Sequence, residues 1–153
     1  KVSTDVTKLG FYLSDSPPEK ELITSSAYDT KFRIPPRSRD VHVRATKSFD
    51  RASTIYELSP HMHYRGASSK FTLQYPNGTS EIILNVPAYF FDWQALYRFD
   101  TPKQIPPGTR LICEGWFDNT AQNRYNPGPN DTVRFGEQSW EEMFIGYVNF
   151  VED

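Results

Sequence analysis

Short apolar stretches, separated by proline, glycine and asparagine, dominate the pattern of this chain. They fall at 32–34, 41–44, 52–57, 71–75, 80–84, 111–117 and 143–151. Aromatic and β-branched residues fill them, and such residues favour strands over helices. The chain shows no long amphipathic helical pattern. Many short strands with regular turn signals predict an all-β fold, built as a two-sheet antiparallel sandwich.

Turn residues divide this pattern into elements. Asn77-Gly78 lies between two of the apolar stretches and predicts a tight hairpin. A Pro-Pro pair precedes the strands expected near 41 and near 111, where proline can set the turn without interrupting a sheet. The segment 9–13 also has an extended pattern, 89–99 is rich in aromatic residues, and 118–132 is a polar loop. The last stretch, 143–151, is apolar on both faces, which is typical of a central strand.

Length and composition limit the number of domains and the kinds of partner that this chain is expected to bind. The 153 residues suit one domain with its own core. The 17 basic and 19 acidic residues nearly balance, so neither nucleic acid nor an anionic membrane surface is an expected partner. No apolar run approaches the roughly 18 residues that a membrane span needs. Cys113 is the only cysteine, and its apolar neighbours predict a buried, unreactive thiol.

Two of the three histidines stand together in the sequence His61-Met62-His63. On a strand, residues two apart face the same side, at a Cα separation of about 6.5 Å. Both imidazoles can then approach one metal ion while Met62 points away. The other interpretation is a pair of ordinary, partly exposed strand histidines. His42, in an alternating apolar segment, is expected to be an ordinary strand residue.

Met143 is the only methionine besides Met62. Imidazole and thioether together form a soft ligand set that suits Cu(I) and disfavours Mg, Ca and Mn. Zinc more often takes a thiolate or a carboxylate as a further ligand. Residue type alone does not join Met143 to the histidines, because a methionine is more often a core residue than a ligand.

Two motifs carry a resemblance to a known family. Residues 59–66 read Ser-Pro-His-Met-His-Tyr-Arg-Gly, and residues 135–143 read Phe-Gly-Glu-Gln-Ser-Trp-Glu-Glu-Met. With the early Ile-Pro-Pro turn, their order resembles the second, C-terminal domain of the copper type II ascorbate-dependent monooxygenases. That family includes the peptidylglycine α-hydroxylating and dopamine β-monooxygenases, and this chain looks most similar to its bacterial members. The resemblance covers nearly the whole chain.

The resemblance implies a jelly-roll-like sandwich in which His61, His63 and Met143 bind one copper ion. It implies O2 activation for C–H hydroxylation of a small-molecule or peptide substrate, with no catalytic residue beyond the metal ligands. The family's other copper, held by three histidines, has no counterpart here, so a reductant such as ascorbate or a redox domain must supply electrons. Residues 1–153 are then a single copper-binding domain of a larger protein, secreted or periplasmic.

Two other functions remain open from the residues alone. One is a non-catalytic copper-binding or electron-relay module. The other is a metal-free domain that binds carbohydrate or protein through an aromatic platform of Tyr89, Trp93, Tyr97 and Trp116. Asn77 and Asn130 lie in glycosylation sequons, a pattern that also arises by chance.

Side chains next to the three proposed ligands are further candidates. Tyr64 and Arg65 follow the histidines and could line the open side of the site, although a surface salt bridge is the more common role for such an arginine. Glu141 and Glu142 precede Met143, and one of them could accept a hydrogen bond from a ligand histidine.

Overall fold

A computed structural model describes residues 2–153, and within that range it contains strands and no helix. The strands are β1 (Ile23–Tyr28), β2 (Arg33–Ile34), β3 (Val41–Ser48), β4 (Ser53–Met62), β5 (Gly66–Gln74), β6 (Ser80–Val86), β7 (Tyr97–Ile105), β8 (Arg110–Phe117), β9 (Val133–Arg134) and β10 (Phe144–Glu152). The predicted all-β class is confirmed. The described chain therefore offers no helical segment that could cross a bilayer.

The strands form two four-stranded antiparallel sheets packed as a jelly-roll-like sandwich. The first sheet has the order β1-β10-β4-β7 and the second has the order β3-β8-β5-β6, while β2 pairs with β9. The predicted last strand lies inside the first sheet, between β1 and β4, as expected of a central strand. Only its inner face is buried, since Phe144 and Val148 are buried whereas Tyr147 on the other face is exposed. In β3 the buried Val43 and Ala45 alternate with the exposed His42 and Arg44. This period of two gives the second sheet one face toward the core and one toward water.

The sequence predicted the positions of the turns correctly. The hairpin between β5 and β6 turns at Asn77-Gly78, and Gly78 has a φ of 86°. Such positive φ values are accessible to glycine without steric cost. The Pro-Pro turns lead into β3 and β8 as expected. The 9–13 segment forms no strand, and its apolar side chains are exposed.

The two sheets are in close contact where Gly146 of β10 faces Cys113 of β8 and Phe71 of β5. A Cβ added at Gly146 would collide with Cys113 and would lie 2.9 Å from the Phe71 ring, so only glycine fits there. Cys113 is fully buried at this contact, which confirms the expected buried thiol. Burial raises the pKa of that thiol, so it stays protonated and unreactive.

Glu57 joins three strands of the first sheet on its outer face. Its carboxylate accepts hydrogen bonds from Asn149 Nδ2 at 2.7 Å and from Arg98 Nε at 2.8 Å. Asn149 in turn accepts a hydrogen bond from Thr24. The bonds from Asn149 and Arg98 lower the pKa of Glu57 below its usual 4.5. The ionised form of the Glu57 carboxylate is therefore more stable in the folded chain than in the unfolded chain.

We expect Glu57→Gln to lower the free energy of unfolding by about 1–2 kcal/mol at neutral pH. Because the folded-state pKa is depressed, this stabilisation is present above the unfolded pKa and is lost as pH falls through the folded pKa. Urea denaturation at pH 7 and pH 3 should therefore show a difference that shrinks on acidification. Glu152→Gln, which removes an exposed pair with Arg51, should cost less than about 1 kcal/mol at either pH.

Candidate metal centre

His61 lies at the end of β4, on the outer face of the first sheet, and His63 follows directly after the strand. Met62 between them is fully buried in the core, so His61 faces outward as the alternation predicted. β4 ends at Met62, and His63 begins the turn to β5, in which Gly66 N–H donates to the His63 carbonyl. The expectation that both histidines lie on the strand is thus wrong for His63. Their ring centroids are nevertheless 5.2 Å apart, with the rings edge to face.

Met143 immediately precedes β10, the neighbour of β4. The strands pair Ile145 with His61 and Phe144 with Met62, so the same register continued by one residue sets Met143 across from His63. Directly opposite residues of an antiparallel pair present their side chains on the same face. The register therefore sets the backbone of Met143 beside the histidine pair.

A single carboxylate oxygen joins these two positions. Glu142 Oε2 accepts the His63 N–H at 2.7 Å and the Met143 N–H at 3.2 Å, while its Oε1 accepts the Arg65 N–H at 2.7 Å. The sequence had suggested an acidic residue bonded to a histidine ring, but Glu142 bonds the backbone instead. Burial raises the pKa of Glu142 to about 7, against the three N–H bonds and Arg65, which lower it.

Arg65 lies beneath the site rather than beside its open face. Its side chain is only 1% exposed, with Nε donating to Asn119 Oδ1 at 2.8 Å and Nη1 donating to the Trp140 carbonyl at 2.9 Å. The surface salt bridge that the sequence favoured is therefore wrong, because the guanidinium is buried and bonds an amide and a backbone carbonyl. Asn119, also buried, bonds the carbonyls of Pro35 and Asp131 and so ties the 118–132 loop to this network.

His63 has the most constrained environment of the proposed ligands. Its side chain is buried, and its Nδ1 has no hydrogen-bond partner among the described residues. Burial lowers the pKa of His63, and the adjacent His61 lowers it further, whereas the carbonyls of Glu141 and Gln138 raise it. A neutral ring is the form that binds a metal, and an unpaired buried nitrogen costs about 1–3 kcal/mol unless something binds it. His63 therefore fits the role of a metal ligand.

The loop between β6 and β7, residues 87–96, covers the histidines. Its Ala95 carbonyl accepts the Ser59 hydroxyl at 3.1 Å, which holds the loop on β4. The Phe91 ring contacts His63, at a centroid distance of 5.8 Å, and the Gln94 side chain bonds His61 Nδ1 at 2.6 Å. The sequence marked this segment as aromatic, but no local signal connected it to the histidines.

A cavity of about 340 Å³ lies next to the histidines on the far side of Phe91. Its aromatic lining comes from Tyr64, Tyr89, Phe90, Phe91 and Tyr125, with polar side chains around them. Phe91 packs against both Tyr64 and His63, so its ring contacts both the lining of this cavity and the histidine pair. Tyr64 thus lines a space beside the site, as the sequence suggested.

The remaining candidates lie elsewhere. His42 bonds Glu114 at 3.0 Å on the second sheet, as expected of an ordinary strand residue. Trp116 packs against His42 there, whereas Tyr89 is buried and its hydroxyl donates to the Met62 carbonyl at 2.7 Å, so Tyr89 is not part of an exposed platform. Within residues 2–153 no group of three or more His, Cys, Asp or Glu side chains could hold a metal. The proposed set contains only two residues of those types.

Fold and site together define an antiparallel β-sandwich with a paired histidine site on the outer face of one sheet. No family model matches the chain, and no curated protein matches it. Three similar solved structures are of infectious bursal disease virus: the Gx strain (14% identity, TM-score 0.39), the VP2 subviral particle (18%, 0.40) and the T13 viral particle (10%, 0.36). They match 91%, 91% and 88% of this chain, which covers 33%, 34% and 40% of theirs. The chain thus spans about a third of the first two proteins.

Proposed function

We propose that this chain is a mononuclear copper-binding domain of the copper type II monooxygenase class, with His61, His63 and Met143 as ligands. The observation that carries the proposal is the buried, unpaired Nδ1 of His63, which lies in a ring beside His61 and across from Met143. The donor set favours copper over the hard cations, because two imidazoles and a thioether bring no negative charge to the ion.

The protein residues supply position and environment. Glu142 holds the backbones of His63 and Met143 together, and Phe91 of the 87–96 loop packs against the His63 ring. Copper, when bound, supplies the redox chemistry for activating O2. The aromatic cavity beyond Phe91 supports a small-molecule or peptide substrate that approaches from that side. Electrons are proposed to come from ascorbate or a redox domain, and the protein to be secreted or periplasmic.

Anaerobic Cu(I) titration against a chromophoric chelator tests the metal site. We expect one copper per wild-type chain, and a loss of Cu(I) affinity of at least about 100-fold in His63→Ala and in His61→Ala. Met143→Leu keeps the volume but removes the sulfur, so it should weaken Cu(I) more than Cu(II). His42→Ala is the matched control and should bind like wild type. A wild-type chain that binds no stoichiometric copper would contradict the proposal.

Oxygen consumption by the copper-loaded domain with ascorbate separates an oxygen-activating centre from an electron relay. Uptake that disappears in His63→Ala supports the oxygenase proposal. Copper that is reduced by ascorbate but consumes no O2 with any substrate would overturn it in favour of the relay module.

A further inference from the structure

We infer that Gln94 is a positioning residue that sets the protonation pattern of His61, leaving its Nε2 free for the metal. The inference rests on the proposed copper site but concerns a residue outside the ligand set. Gln94 Oε1 lies 2.6 Å from His61 Nδ1, and Gln94 Nε2 donates to the Phe91 carbonyl at 3.0 Å. The second bond determines which end of the amide faces the histidine.

The chemistry of the Gln94 amide and the His61 ring determines which ring nitrogen carries the proton. A carboxamide oxygen only accepts hydrogen bonds, so the ring nitrogen facing it must carry the hydrogen. His61 is therefore protonated at Nδ1, and in the neutral ring its lone pair lies on Nε2. A neutral histidine without such a partner favours the opposite form, with the proton on Nε2. Gln94 thus selects the form in which Nε2 can bind a metal.

The contacts of the 87–96 loop with β4 explain why Gln94 can reach His61. Ser59 and His61 are two apart on β4 and both face outward, and the loop bonds both of them, through Ala95 and Gln94. Its Phe91 packs on His63 and also accepts the Gln94 amide bond. One short segment therefore orients the first histidine and covers the second. Metal-bound histidines commonly donate their other N–H to such an acceptor.

Long-range 1H–15N NMR of the metal-free protein tests the inference without activity or copper. At about pH 8, where an ordinary imidazole is neutral, wild-type His61 should show the Nδ1–H form. Gln94→Ala should shift it mainly to the Nε2–H form, and Gln94→Glu should restore Nδ1–H because a carboxylate also accepts. Asp92→Ala, an exposed change in the same loop, is the control and should leave the His61 signals unchanged.

Copper affinity provides the second measurement. Gln94→Ala should weaken Cu(I) binding about 10-fold or more, and Gln94→Glu should recover most of it. The inference is overturned if Gln94→Ala retains both the Nδ1–H form and wild-type affinity. A wild-type chain that binds no copper while the NMR shift occurs as expected would reject the metal site and leave the Gln94–His61 pairing intact.

Discussion

Replacing Glu142 by alanine is expected to lower the free energy of unfolding by about 3–5 kcal/mol, the range found when a buried charge loses its partner. The change leaves three backbone N–H donors without their acceptor at once, since the Glu142 carboxylate accepts the N–H groups of His63, Arg65 and Met143. It also removes the larger of the two carboxylate interactions, with Glu142 and with Asp131, that favour the charge of the buried Arg65 guanidinium. Equilibrium urea denaturation of the metal-free protein measures the loss.

The neighbouring glutamate provides the control. Glu141 is half-buried and accepts one backbone N–H, from Gln138, so Glu141→Ala should cost only about 1 kcal/mol. Glu142→Gln should be intermediate, because the amide keeps one acceptor but turns its NH2 group toward backbone donors. Equal losses in Glu141→Ala and Glu142→Ala would refute a special role for Glu142. Copper titration of Glu142→Gln then reports whether the tie between His63 and Met143 matters for the metal.

Arg65→Ala is also expected to lower the free energy of unfolding by about 3–5 kcal/mol. The guanidinium bonds Asn119 and the Trp140 carbonyl, so its removal disconnects the polar loop from the segment leading to β10. It also leaves the buried Glu142 without a positive neighbour. Arg65→Lys should recover part of the loss, since a lysine keeps the charge but lacks the planar fork that reaches both partners.

Thermal and urea unfolding of Arg65→Ala, Glu142→Ala and the double variant measure how far the two act together. The double variant should lose less than the sum of the two, because each single change leaves the other buried charge without its largest opposite neighbour. Arg44→Ala, on the exposed face of β3, should remain within about 0.5 kcal/mol of wild type. Strictly additive losses would show that the two residues are energetically independent.

The fold was largely predictable because its signals are local. Alternation in β3, the Asn77-Gly78 turn and the Pro-Pro turns each depend on residues within a few positions, and all appear in the structure. The same alternation correctly sent His61 and Met62 to opposite faces. The 9–13 stretch shows the limit of this reasoning, since an apolar extended pattern forms no strand where no neighbour pairs with it.

The surroundings of the histidines were not predictable in this way. Arg65 and Glu142 are charged residue types that are usually exposed, and their burial results from a contact across 77 positions. Gln94 reaches His61 across 33 positions, from a loop whose sequence indicates only aromatic character. Such contacts depend on where the loop crosses the sheet, which no local periodicity encodes.

The sequence by itself therefore determined the all-β class, most strands and turns, the outward side of His61, and His61, His63 and Met143 as candidate ligands. Only the tertiary structure decided that Met143 lies across from His63, that Glu142 ties their backbones, and that Gln94 bonds His61. The physical reason is that strand propensity and alternation act between near neighbours, whereas register between distant strands arises from packing of the whole sandwich.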